Sequence, residues 1–444
     1  MEPRLTEQLR KGRMSFFQVR AVAICLLINA LDGFDILVIA FLAPEIAQQW
    51  QLSPDTLGIL LSAGLAGMTA GSLLLSPLAD RYGRRPAILL SLAVTSLGMV
   101  VSAFTGDLAQ LTATRFVTGL GIGAMLASLT TIVAEYASDR RRAAAIGFSM
   151  AGYPIGAIFG GVATLYLLEA FGWQAVFLFG GLLTGLMIPL SLVFLPESIE
   201  YLLTRRDPDT LERINRVLGK MNKPQLDRLP DIEPMPATAA NRVTELLAPA
   251  FRRQTALVWA VFFLTLSSLY FAQTWTPQII VDAGFDLSEG VSVGVLIQVG
   301  ALLGILVIGV LTARLSVVTT AALLMGFGFV AMAAFSLTLG QIGTLSALAV
   351  CIGLGVNAAV IALYALVADA YPVNIRTTAI GWAIGVGRFS AVLSPAIAGF
   401  VLDLGVEEGT LFLVFALPML LAAGLVLAIK PKASDRLGPA GEGS

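Results

Sequence analysis

The sequence predicts an all-α integral membrane fold, with twelve transmembrane helices in two pseudo-symmetric six-helix bundles. Three observations predict it. The 444-residue chain is 57% hydrophobic and only 13% charged, with a mean hydropathy of +0.85, whereas a soluble domain carries about 25% charged residues. Twelve apolar segments approach or exceed the roughly 20 helical residues that span a bilayer core. Apart from Arg115 and Arg388, the 28 Lys and Arg residues fall in every second gap between those segments.

The spans are expected near 18–43, 56–79, 87–105, 108–134, 143–166, 173–195, 255–280, 290–312, 316–337, 342–369, 376–401 and 409–430. Residues 1–195 form the N-terminal bundle, 196–254 a linker, and 255–444 the C-terminal bundle with its tail. Arg4, Arg10, Lys11 and Arg13 precede span 1. A cleaved leader has a shorter apolar core and a small-residue cleavage site. Here the run contains Asp32 and Asp35 and meets Pro44-Glu45, so it reads as a retained span.

Basic residues occupy the N-terminal tail, the turns at Arg81-Arg84-Arg85 and Arg140-Arg141-Arg142, the linker, the turns at Arg314 and Arg376, and the C-terminal tail. The intervening gaps hold acids instead: Glu45, Asp55, Asp107, Glu169, Asp282, Asp286, Glu289, Asp403, Glu407 and Glu408. Basic residues in short loops stay on the cytoplasmic side. The expected topology is therefore multi-pass in a bacterial inner membrane, with both termini and the linker cytoplasmic. The linker carries ten basic residues and the Pro-rich stretch Leu229-Pro-Asp-Ile-Glu-Pro-Met-Pro236. Its segment Glu197 to Gly219 reads either as short amphipathic helices on the membrane surface or as a solvated tether.

Composition excludes much. There is no histidine, which removes His metal sites and His proton relays, so a proton-carrying group must be a carboxylate. Cys25 and Cys351 lie inside apolar segments, where a lone thiol behaves as a small hydrophobe. No metal, no cofactor and no enzymatic activity are expected. A net charge of −1 gives no reason to expect nucleic acid.

The halves read as repeats. At an offset of 234, Gly119-Leu-Gly121-Ile-Gly123-Ala124 faces Gly353-Leu-Gly355-Val-Asn357-Ala358. In the same register Glu135 faces Asp369, Arg142 faces Arg376, and Ala145-Ile-Gly147 faces Ala379-Ile-Gly381. Two parallel six-span repeats are the architecture of a rocking transporter with its site between the halves.

The turn after span 2 reads Ser76-Pro-Leu-Ala-Asp80-Arg-Tyr-Gly83-Arg-Arg85-Pro86. Gly83 suits positive φ, and Pro86 suits the start of a helix. Asp80 is placed to accept hydrogen bonds from a helix N-terminus or an Arg, while Arg81, Arg84 and Arg85 anchor the turn at the membrane surface. This turn resembles the signature of the major facilitator superfamily, and the resemblance covers the whole chain. The second-half copy, Leu311-Thr-Ala313-Arg314-Leu, lacks the acid. Arg115-Phe-Val-Thr-Gly119-Leu-Gly121-Ile-Gly123 in span 4 also resembles a superfamily motif. Gly152-Tyr-Pro154-Ile-Gly156-Ala-Ile-Phe-Gly160-Gly161 in span 5 resembles a pattern of its antiporters, and by itself reads more as a close-packing and kink device than as a marker of direction.

Asp32-Gly33-Phe34-Asp35 puts two acids three residues apart on nearby faces of span 1. They sit about 21–26 Å from its cytoplasmic end. Taking a carboxyl out of water beside a second acid favours its protonated form, as a proton carrier requires. Arg115 enters span 4 from the opposite face by about 10 Å, so the depths match. The expected proton-coupling set is Asp32, Asp35 and Arg115. Within the superfamily, Asp-Gly-Phe-Asp in span 1 is similar to the aromatic acid:proton symporter family. That resemblance implies a proton-coupled importer of an aromatic or related carboxylate, working by alternating access as a monomer.

Arg388 lies about 18 Å into span 11. Its repeat counterpart is Pro154, so symmetric packing does not require the charge. An Arg fork holds a carboxylate through two parallel hydrogen bonds, and an intramembrane charge is a functional-site candidate. An aromatic acid needs apolar and aromatic walls with a few polar groups. Phe34, Tyr153, Tyr270, Gln273, Trp275, Gln298, Asn357, Tyr364 and Trp382 are the candidates. Glu135, Arg142, Asp369 and Arg376 are expected to form cytoplasmic gate pairs, with Asp80, Arg81, Arg84 and Arg85 in the adjoining turn. Two rival readings stay open: an exporter of the same fold, and a membrane receptor that binds small acids without moving them.

Overall fold

The computed structural model describes residues 14–205, 207–229 and 244–430. The basic N-terminal and C-terminal tails and most of the Pro-rich stretch lie outside the described residues. Twelve helices among the described residues are long and apolar enough to cross a membrane. In the first half they are α1 (Phe16–Trp50), α2 (Pro54–Leu74) continued by the short α3 (Ser76–Tyr82), α4 (Arg84–Ser102), α5 (Leu108–Tyr136), α6 (Arg142–Phe171) and α7 (Trp173–Phe194). In the described part of the linker, helices α8 (Ile199–Arg205) and α9 (Thr210–Lys220) follow. The second half has α10 (Arg252–Asp282), α11 (Leu287–Thr312), α12 (Val317–Leu337), α13 (Ile342–Ala370), α14 (Val373–Asp403) and α15 (Glu408–Val426). The end of the molecule bearing Arg81, Arg142, the linker and Arg376 is the basic end; the opposite end is acidic.

Several acids of the acidic end have a local role. Asp107 accepts from the backbone N–H of Gln110 at the start of α5 (2.8 Å), and Asp286 with Glu289 forms a capping box at the start of α11. Acids at helix N-termini satisfy orphan N–H groups and complement the helix dipole. At the basic end Ser15 and Gln18 cap α1 in the same way. Arg20 lies one turn inside α1, within the expected first span rather than in a gap, with its guanidinium 4.7 Å from the Phe194 ring centroid and 5.5 Å from that of Phe17. Helix α1 also runs on through Pro44 to Trp50, beyond the expected end at 43.

The repeat is visible atom against atom. In the first bundle Gly67 abuts the Phe116 carbonyl, Gly71 the Leu120 carbonyl and Gly119 the Gly64 carbonyl, which brings α2 onto α5. In the second, Gly300 abuts Val350, Gly304 abuts Leu354 and Gly353 abuts Ile297, bringing α11 onto α13. Phe116 and Val350, and Leu120 and Leu354, are 234 residues apart, the offset of the sequence repeat. Bare glycines permit this approach, which drives helix association where lipid supplies no hydrophobic force.

The bundles meet through α2 with α14, α6 with α11 and α1 with α10. Gly58 of α2 lies against Pro395 and Gly399 of α14, and Gly161 of α6 against Val295 of α11. These contacts lie in the acidic halves of the helices. Toward the basic end, Gly147 on α6 and Gly381 and Gly385 on α14 have nothing against them among the described residues. The molecule is closed at its acidic end.

Candidate functional site

Asp32 and Asp35 are one turn apart on α1, 2% and 0% exposed, and close enough for their charges to interact. Asp35 Oδ2 accepts from the Thr184 hydroxyl of α7 (3.2 Å). Asp35 Oδ1 and Asp32 Oδ2 are buried with no hydrogen-bond partner among the described residues. Helix α1 is held against α6 by the intervening glycine: Gly33 abuts the Tyr153 backbone, and Gly156 abuts the Ala30 carbonyl. Asn29, one turn before Asp32, donates to the Ser149 carbonyl across the same seam (2.6 Å). Gly152, Gly156 and Gly160 of span 5 thus pack against α1, while Gly161 also meets Val295 of α11.

Arg115 enters from α5 and is 1% exposed. One guanidinium nitrogen donates to the backbone carbonyl of Asp35, and the other approaches the Met99 sulfur (2.9 Å). Its guanidinium carbon stands 5.5 Å from the Phe177 ring centroid. Arg115 therefore grips the main chain of α1, and no ion pair between it and the Asp35 carboxylate is found among the described residues within 4 Å.

On the other bundle Arg388 is half-buried, 15 residues into α14. None of the ion pairs seen among the described residues includes it. Tyr270 of α10 and Tyr364 of α13 lie within its electrostatic reach. Tyr153 of α6 lies within electrostatic reach of both Tyr270 and Asp32. Tyr270 also packs on Leu65, Met68 and Ile122 of the first bundle. With Arg115 and Thr274 it lines a cavity of about 10 Å³, about the space of one water molecule.

The other expected wall residues divide. Asn357 is half-buried and bonds its own helix at Gly353 (3.0 Å), and Gln298 is buried with an unpartnered Oε1. Gln273 is 4% exposed. Trp382 stacks on Trp259 at 5.7 Å, nearer the basic end. Phe34 and Trp275 pack inside their own bundles in this arrangement. Phe34 faces α6 and α7, wedged against Gly160, Gly180 and Phe179, because those glycines leave room for its ring inside the first bundle. Trp275 is 1% exposed and donates to the Pro395 carbonyl (3.0 Å), so its indole nitrogen is satisfied within the second bundle.

At the basic end Gly83 takes φ +110. Among the described residues Asp80 pairs with Arg84 alone, one turn on (3.5 Å), and is mostly exposed. The start of α4 is capped instead by Glu197, whose Oε1 accepts from the backbone N–H of Arg84 (2.9 Å), Arg85 (3.1 Å) and Ser198 (2.8 Å). Arg85 donates to the Leu192 carbonyl, and the Arg81 carbonyl accepts from Arg205 (3.3 Å). Glu135 accepts from the Ser198 hydroxyl (2.7 Å) and the Ile199 N–H (2.9 Å), binding α5 to the linker. Neither Glu135–Arg142 nor Asp369–Arg376 pairs in this arrangement among the described residues; Asp369 is exposed and the Arg376 Nε is buried without a partner.

The Major Facilitator Superfamily family model matches residues 25–343 and 298–443. The 4-hydroxybenzoate transporter PcaK of Pseudomonas aeruginosa is 32% identical over 417 residues, covering 93% of each chain. The gallate transporter of Pseudomonas putida is 32% identical, covering 93% of this chain and 92% of its own. The 3-(3-hydroxy-phenyl)propionate transporter of Escherichia coli is 31% identical, covering 94% and 95%. A partially occluded inward open structure of the xylose transporter XylE from E. coli superposes with a TM-score of 0.71 at 16% identity, over 94% of this chain and 98% of that one. From its glycine-packed repeat to these relatives, the chain belongs to the major facilitator superfamily of membrane transporters.

Proposed function

We propose that this transporter imports an aromatic carboxylate together with a proton, by alternating access. The observation that carries the reading is the pairing of two unlike charge sites. The unpaired guanidinium of Arg388 stands about 22 Å from the basic end of its helix, and Asp32 stands about 24 Å from the basic end of α1. The cargo carboxylate docks on the Arg388 fork, with Tyr270 and Tyr364 beside it. Asp35, with Asp32, takes the proton. Named relatives carrying hydroxybenzoate, gallate and hydroxyphenylpropionate support an aromatic acid as cargo.

The positive-inside rule makes the basic end cytoplasmic. Both termini then lie inside a bacterial inner membrane, and the arrangement with its acidic end closed is inward-facing. The Glu135–Arg142 and Asp369–Arg376 pairs close the basic end in the opposite state, which explains why they are apart here. A single chain contains both halves of the site and acts as a monomer. Proteoliposomes given labelled 4-hydroxybenzoate and an inward proton gradient test the reading. Uphill accumulation that a protonophore abolishes is expected; accumulation that survives the protonophore overturns it.

A further inference from the structure

A second cavity, of about 760 Å³, opens at the basic end between α4, α7 and the linker helices. Five cations line it: Arg85, Arg205, Arg213, Arg216 and Lys220. Two carboxylates, Glu197 and Asp207, share the lining, and Glu197 is engaged with three backbone N–H groups. Arg213, Arg216 and Lys220 are spaced by three and four residues, so α9 presents them on one face. The pairs Arg213–Asp209 (2.9 Å) and Arg216–Glu212 (2.7 Å) are solvent-exposed, and exposed pairs hold their partners weakly. Lys220 stands 5.8 Å from the Phe17 ring centroid, and among the described residues the Arg85 Nε is buried without a hydrogen-bond partner.

The floor is apolar. Leu89, Leu192 and Val193 line it, and Val193 is 70% exposed on the outer surface of α7. That surface continues away from the basic end through Leu186 and Leu182 on α7, with Leu90 and Leu97 exposed beside it on α4. A cationic cavity leading directly onto a lipid-facing apolar strip matches a molecule with an anionic head and acyl tails. Basic pockets between membrane helices recognise such headgroups.

We infer that this cavity binds an anionic glycerophospholipid, its phosphate among Arg216, Lys220 and Arg85 and its acyl chains along α4 and α7. The lipid ties the linker helices to the first bundle at the membrane surface. Purified full-length protein, titrated with phosphatidylglycerol or phosphatidylcholine and read by native mass spectrometry, tests it. Wild-type protein retains phosphatidylglycerol in preference to phosphatidylcholine, and Arg216→Gln with Lys220→Gln weakens that retention about thirtyfold, while Arg216→Lys with Lys220→Arg keeps it. Glycerol 3-phosphate at equal concentration does not displace the lipid. Equal retention of the two lipids by wild-type protein overturns the inference without reference to any variant. So does unchanged retention in the folded double Gln variant. Displacement by glycerol 3-phosphate replaces the lipid with a soluble anion and also overturns it.

Discussion

Arg115 and Arg388 are both guanidiniums inside apolar helices, yet their surroundings differ in kind. Arg115 is sealed between the Asp35 main chain, the Met99 sulfur and the Phe177 ring. Arg388 is half-buried, within electrostatic reach of Tyr270 and Tyr364 and without an ion pair among the described residues. A buried charge is stable only when its donors are satisfied or its charge is matched. The first arginine is satisfied largely by the protein itself. The second has no ion pair among the described residues. On the proposed reading, the difference assigns Arg115 to holding the helix of Asp32 and Asp35, and Arg388 to the cargo.

That division of labour is open to attack by substitution. The largest effect is expected from Asp35→Asn, which removes gradient-driven accumulation altogether while cargo exchange across the membrane persists. Simultaneous loss of exchange and of a native melting transition would make Asp35 structural. Arg388→Lys keeps the charge but loses the planar fork. Its cargo affinity falls about ten- to a hundredfold, the range for losing a charge-assisted hydrogen bond, read by equilibrium binding; wild-type affinity would remove Arg388 from the site. Arg115→Lys lowers the melting temperature through the lost contacts with Asp35 and Phe177, with cargo affinity unchanged. A drop in affinity without loss of stability would reverse the two roles. Thr184→Val is the smallest change. It removes one hydrogen bond to Asp35, a net effect of about 1 kcal/mol, and slows gradient-driven uptake several-fold while binding stays intact.

The charges of the site are legible in the sequence because a charge in an apolar segment is conspicuous: Asp32, Asp35, Arg115 and Arg388 all stand out. The glycine runs are legible too, since bare positions in membrane helices mark close approach. The partners are not. Thr184 and Met99 are ordinary residues of spans 6 and 3, and only the packing of α7 and α4 brings them to Asp35 and Arg115. Phe34 and Trp275 show the same gap from the other side. Their type suits an aromatic pocket, but helical phase turns them into their own bundles. Glu197 lies more than 100 residues from the turn it caps, in a stretch whose composition says little. The expected gate pairs, Glu135–Arg142 and Asp369–Arg376, illustrate a further limit, because a pair confined to another conformation would leave no trace in this one.

The central claim is that Arg388 recognises the carboxylate of the cargo. The most direct test compares binding of 4-hydroxybenzoate with that of 4-hydroxybenzamide, an uncharged molecule of nearly the same shape, in wild-type protein and in Arg388→Gln. Strong preference for the acid in wild-type protein that vanishes in the variant is the predicted result. Preference for the acid that persists undiminished in Arg388→Gln would place the carboxylate elsewhere and contradict the account.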